Sequence, residues 1–366
     1  MKRIISICAV LMVFLHYSYA QPAPKRHFTI TGYYAGNTTA IDSFEVGKLT
    51  HLIFSFCHLD SNKLATSRAS DTVILQKMVS LRDKNPALKL MVSLGGWGGC
   101  MNCSAVFSNA EARKEFAIST KALLIYFGLD GIDIDWEYPA IEGFPGHAYS
   151  PSDRANFTEL MRELRTTLGK RYEISFAAGG FTKYIRESVE WDKVMPLVNR
   201  VYLMSYDLVG GYSTTSAHHT PLYSNTPEAG SANQGVSALL KAGVPANKIV
   251  IGAAFYGRLY SVEDTVNTGM GRIARFYHSI SWKNLYDSIN TANGYTIYQD
   301  ARAGAAYAFN PERLLFATFD DSLSVYRKTK YALQKNLNGI MFWQLMDDTF
   351  SNGLLQVIHS ALNIRN

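Results

Sequence analysis

The chain has 366 residues, of which 47% are hydrophobic, enough apolar material to bury a large core in one α/β domain. Its formal net charge is +6, but the basic residues are scattered rather than clustered, which argues against a nucleic-acid groove. No stretch is apolar for long enough to span a bilayer.

Taken in order, Lys2 and Arg3, an apolar run over 4–15 and the small-residue site Ser18-Tyr19-Ala20 predict a secretory signal peptide over 1–20. Cleavage after Ala20 leaves a mature domain of 21–366, and the loss of two positive residues lowers the net charge to +4. The expected product is soluble, monomeric and secreted, in an extracellular or periplasmic space. Export suits a local disulfide between Cys100 and Cys103, which sit as C-x-x-C in a Gly-rich loop. Zinc would need further ligands, and a redox pair would open a helix. Cys57 is expected to be a buried free thiol.

Alternating or apolar runs predict strands over 27–34, 49–56, 88–94, 172–177, 200–206, 248–254 and 339–343. Another strand is expected in the run 129–139. Helical patterns fall at 71–82, 110–127, 151–168, 185–195, 231–242, 322–337 and 354–362. Eight strands alternating with helices predict a closed parallel (β/α)8 TIM barrel, with its active site at the carboxyl ends of the strands. The segment 260–320 breaks the rhythm after the seventh strand. Its many aromatics predict an inserted α+β module raising one wall of a cleft.

The run 129–139 reads LDGIDIDWEYP. Alternate residues of a strand share a face, so Asp133, Asp135 and Glu137 form one row, with Ile132, Ile134 and Trp136 behind them. Like charges packed in an apolar interior raise one another's pKa values and cost stability, so the row predicts acid/base chemistry. Its rivals are a solvated acidic edge strand, which fits poorly with Ile132, Ile134 and Trp136 on the other face, a buried structural ion-pair cluster, and a carboxylate metal site, the stronger rival, although the run contains no His.

The series Asp130-x-x-Asp133-x-Asp135-x-Glu137 resembles the DxxDxDxE signature of glycoside hydrolase family 18, the chitinases and related N-acetylglucosaminidases. Ser93-x-Gly95-Gly96, Met204-x-Tyr206-Asp207, Tyr256-Gly257-Arg258 and Gly339-Ile-Met-Phe-Trp343 resemble its other elements, so the likeness runs from about Gly32 to Asp348. The resemblance implies hydrolysis of β-1,4-linked N-acetylglucosamine in chitin or chitooligosaccharides, without metal or cofactor. The mechanism it implies is retaining and substrate-assisted. Glu137 would protonate the leaving oxygen, Asp135 would hold the acetamido N–H, Asp133 would tune Asp135, and Tyr206 would orient the acetamido oxygen.

Trp343 would floor the reacting sugar's subsite and Trp97 the next one. Met204, Asp207, Tyr256, Arg258, Tyr33 and Phe54 complete the expected binding residues. Ser93, Gly95 and Gly96 would support the acids, Ser93 together with Tyr33 behind Asp133, while Asp130 is structural. Many members carry an aromatic-rich H-G-x-W stretch after the Met-x-Tyr-Asp element; here Leu208-Val-Gly-Gly-Tyr212 leaves Tyr212 in that place. The alternatives are an endo-β-N-acetylglucosaminidase cutting the chitobiose core of N-glycans and a non-catalytic chitin-binding lectin.

Overall fold

The computed structural model describes residues 28–224 and 230–363. The predicted signal peptide over 1–20, and His27 of the predicted first strand, lie outside the described residues. Eight parallel strands form the barrel, in chain order Thr29–Tyr34, His51–Asp60, Lys89–Gly95, Gly131–Asp135, Glu173–Gly179, Arg200–Met204, Ile249–Ala254 and Gly339–Trp343. Each pairs with its chain neighbour, and the first pairs with both the second and the eighth, which closes the ring. Closure leaves these strands without free edges and packs two separate apolar layers.

Strand alternation sorts the layers. Ile53, Met91, Tyr202, Val250 and Met341 fill the barrel interior. Leu52, Phe54, Ile132, Ile134, Trp136 and Ile340 point outward into the layer shared with the helices. The helices obey local chemistry: Ala110–Phe127 starts where the Asn109 side chain accepts from the Ala112 N–H and stops at Gly128, whose φ of 70° favours glycine. The predicted helix 185–195 is two short pieces, Thr182–Glu187 and Trp191–Val194.

After the seventh strand, five antiparallel strands form a second sheet in the spatial order Ala274–Ser281, Tyr256–Val262, Leu315–Phe319, Ala305–Asn310, Thr296–Asp300. With the helical turns over 282–288 this is the expected α+β module. Its sheet begins at Tyr256, however, four residues before the predicted boundary. Leu259, Leu285, Ile289 and Phe319 give it a core of its own.

At the amino ends of the barrel strands, Glu173 meets His51 at 3.2 Å and the Arg200 guanidinium. Asp130 accepts from Arg82, Lys89 and the Leu90 N–H, which makes it the structural acid of the series. This face clamps the barrel, and the opposite face, at the carboxyl ends of the strands, carries the candidate site.

Candidate active site

Asp133 lies fully buried inside the barrel. The strand register places Ser93 beside it on one side and Ser175 on the other. Both hydroxyls donate to it, Ser93 to Oδ2 at 2.8 Å and Ser175 to Oδ1 at 2.7 Å, and the Tyr33 hydroxyl adds a third bond to Oδ2 at 2.9 Å. Burial pushes the Asp133 pKa up although all three bonds pull it down. Protons thus face both its oxygens, an arrangement of the wrong polarity for a cation cage.

One layer higher, Asp135 is 4% exposed and its Oδ1 has no hydrogen-bond partner among the described residues. Burial, then the charges of Glu137 and Asp133, drive its pKa well upward. A buried oxygen without a partner is costly, and a ligand N–H would relieve it. The backbone around it requires glycine. At Gly95, φ is 112° and a Cβ would stand 2.1 Å from the Asp135 carbonyl oxygen. At Gly96 a Cβ would strike the Phe56 ring, and its N–H donates to the same carbonyl at 2.9 Å.

The strand ends at Asp135, so Glu137 stands on the following loop rather than in the strand row. It lines the cleft with Asp135. Burial raises its pKa to about 7, the charge of Asp207 adds to the rise, and a hydrogen bond with Tyr138 opposes it. A carboxyl group that holds its proton near neutrality can donate it.

Tyr206 projects into the same cleft, its hydroxyl 3.8 Å from the Met341 sulfur. Burial and the charges of Asp135, Glu137 and Asp207 keep that hydroxyl protonated. Asp207 forms a two-pronged pair with Arg258, each prong 2.5 Å long, and His219 Nδ1 lies 3.4 Å away. Arg258 also lies over the rings of Tyr256 and Phe276, 5.5 Å from each centroid. The first strand of the inserted module thereby brings Tyr256 and Arg258 to the barrel, and Met204 lines the same cleft as they and the acids do.

Aromatic rings build the rest of a cleft of about 970 Å³. Trp343 stacks on Phe56 at 5.4 Å and 16°. Trp97, 48% exposed, stands 6.4 Å from both Tyr138 and Tyr212. Two expected binding residues are not on the lining. Phe54 faces outward into the helix layer, and Phe56 takes its place because the pairing register shifts between Ser55 and Cys57 and reverses the alternation there. Tyr33 is buried beneath Trp343, 5.9 Å from its ring, and its hydroxyl is engaged by Asp133. It supports the acids and does not reach the cleft.

Sequence reasoning also missed Ser175, Tyr138, Phe276 and Asp347. Inward alternation in the fifth strand identifies Ser175. Phe276 lies in the module strand Ala274–Ser281, whose pairing register shifts directly after it, and Asp347 lies on a single helical turn too short to show a period. Cys100 and Cys103 are joined, which anchors the turn after Trp97, and Cys57 is a buried free thiol. Among the described residues no helix is long and apolar enough to cross a membrane.

Comparison with known proteins gives the family. The model of glycosyl hydrolases family 18 matches residues 29–348. Chitinase A1 of Niallia circulans is 33% identical over 298 residues, which cover 75% of this chain and 42% of that protein, so the chain spans less than half of this relative. Chitotriosidase-1 of Mus musculus is 28% identical over 353 residues, 86% of this chain and 72% of its own. Among solved structures, a family 18 N-acetylglucosaminidase from Paenibacillus barengoltzii is 31% identical, with a TM-score of 0.84 over 91% of this chain and 99% of that one. Chitinase ChiA74 of Bacillus thuringiensis is 25% identical, with a TM-score of 0.85 over 93% and 71% of the two chains. A family match over most of the chain, the closed barrel and the acids at its carboxyl end lead to one conclusion: the chain belongs to the glycosyl hydrolases family 18.

Proposed function

We propose that the protein hydrolyses β-1,4-linked N-acetylglucosamine in chitin or chitooligosaccharides by a retaining, substrate-assisted mechanism. The observation that carries this reading is the buried Asp135 Oδ1, without a partner among the described residues, in one row with a hydroxyl-clamped Asp133 and followed by a Glu137 whose pKa is raised to about 7. An acetamido N–H supplies the missing partner. With the sugar over Trp343, the Tyr206 hydroxyl donates to the acetamido oxygen and aims it at the anomeric carbon. Glu137 gives its proton to the leaving oxygen, and the substrate's own carbonyl oxygen bonds to carbon as the glycosidic bond breaks. Asp135 stabilises the resulting oxazolinium cation, and water delivered by Glu137, now a base, opens it.

Trp97 and Tyr212 support the leaving half of the chain, since sugar rings have apolar faces suited to aromatic ones. Secretion fits the predicted leader pattern over 1–20, and the Cys100–Cys103 bond supports an oxidising destination. The test compares turnover and binding of a soluble N-acetylglucosamine oligomer by the protein and its Glu137→Gln variant. Turnover is expected to fall about 10²- to 10⁴-fold with binding retained. Binding without turnover in the unaltered protein overturns the reading in favour of a lectin, and cleavage of N-glycans alone in favour of the endo-acting alternative. A second reading, release of single N-acetylglucosamine units, draws on the Paenibacillus barengoltzii relative. The length of the first products separates it from internal cleavage.

A further inference from the structure

Five charged side chains line the cleft: Asp135, Glu137, Asp207, Asp347 and Arg258. Four are carboxylic acids, an imbalance that a wholly neutral substrate does not require. Three are accounted for. Asp135 and Glu137 are the reacting pair, and both oxygens of Asp207 are occupied by Arg258. Asp347 has no part in the mechanism above.

Asp347 lies on the turn four residues beyond Trp343, in the helical segment Leu345–Asp347. The Ser281 hydroxyl donates to its Oδ1, and Ser281 itself lines the cleft from the inserted module. A carboxylate accepts at both oxygens, so acceptor capacity remains after that bond. Lys283 acts on Asp347 from nearby, but its ammonium donates to the Met346 carbonyl at 2.6 Å. Trp97, Tyr138 and Tyr212 gather on the loops after the third, fourth and sixth strands. Asp347 follows the eighth strand and Ser281 lies in the insertion after the seventh, and these two strands lie across the eight-stranded ring from the third and fourth.

We propose that Asp347 and Ser281 form a subsite for a sugar ammonium, so that the preferred substrate is partially N-deacetylated chitin with an acetylated unit over Trp343 and a glucosamine beside it. This rests on the substrate-assisted reading, in which the reacting unit must keep the acetyl group that supplies the nucleophile. Its neighbour bears no such requirement. A protonated amine there gains a charge-assisted bond to Asp347, whereas an acetamido group brings no charge to it. Burial raises the Asp347 pKa, and an arriving ammonium favours the ionised form again.

The test digests chitosan that is about half acetylated at random and sequences the products by mass spectrometry from their new reducing ends. Fully acetylated hexamer is digested in parallel. N-acetylglucosamine is expected at the new reducing end and glucosamine is expected to be enriched in the unit before it, with enrichment falling as salt is added. Asp347→Asn is expected to lower the ratio of kcat/KM on hexamer with glucosamine in that position to that on acetylated hexamer by about fivefold, and Asp347→Glu to restore part of it. A neighbour unit of average composition in the unaltered protein overturns the proposal whether or not the variants fold, and so does enrichment that survives in Asp347→Asn. Failure of the underlying reading is distinct: acetylated hexamer is left uncut, or glucosamine appears at the new reducing ends.

Discussion

Glu137 owes its proton to burial and to the charge of Asp207, and the pH profile should carry that signature. The acid must be protonated to act, so kcat/KM is expected to fall as pH rises through about 7. Asp207→Asn removes a negative charge and leaves the Arg258 charge uncompensated, which favours the carboxylate of Glu137. The alkaline limb should therefore move to lower pH; a limb that stays in place contradicts the assigned cause. Gly95→Ala puts a methyl group 2.1 Å from the Asp135 carbonyl at a φ that side chains avoid. A loss of about 2 kcal/mol or more in urea unfolding is expected, together with loss of turnover. The acid row itself was legible because burying charges at period two in an apolar strand costs stability, and that cost marks a site. Phe54 was misassigned because the same alternation holds only while pairing is regular, and the shift beyond Ser55 leaves no mark in the composition of the strand.

Among the elements, the barrel strands could be read from the sequence because each is a short apolar run bounded by turn residues, and register then follows from closure. That register explains the support of Asp133 better than the motif does: Ser93 and Ser175 flank it because their strands flank its strand. The amino-terminal clamp was not legible, since His51, Glu173 and Arg200 are far apart in sequence and meet only when the ring closes. Burial works against the Glu173 charge, but the His51 hydrogen bond and the Arg200 guanidinium outweigh it and lower its pKa to about 2. A lowered folded-state pKa gives stability that is present above the ordinary value of 4.5 and is lost as pH falls towards 2. Glu173→Gln should flatten the unfolding free energy across that window by on the order of 2–3 kcal/mol. A variant with the same acid sensitivity as the parent shows that the clamp carries no linkage.

At the scale of the whole molecule, the inserted module must be held in place for Arg258 to meet Asp207. Where the module returns to the barrel, Lys328 and Asp320 form a fully buried pair at 2.6 Å. Asp320 also accepts from the Ala254 N–H at the end of the seventh strand and from Thr220. Lys328→Met strands a buried carboxylate and is expected to cost about 3–5 kcal/mol, whereas adding Asp320→Asn should return part of it. Denaturant unfolding of the single and double variants measures both. No periodicity announces this joint, because the module is placed by contacts between distant segments. In the proposed reaction the substrate's own acetamido group attacks from the same cleft in which Glu137 gives its proton. The most direct measurement is ¹H NMR of the first products from a soluble N-acetylglucosamine oligomer, before mutarotation. Appearance of the β-anomer first is the predicted result, and initial α-anomer contradicts the mechanism.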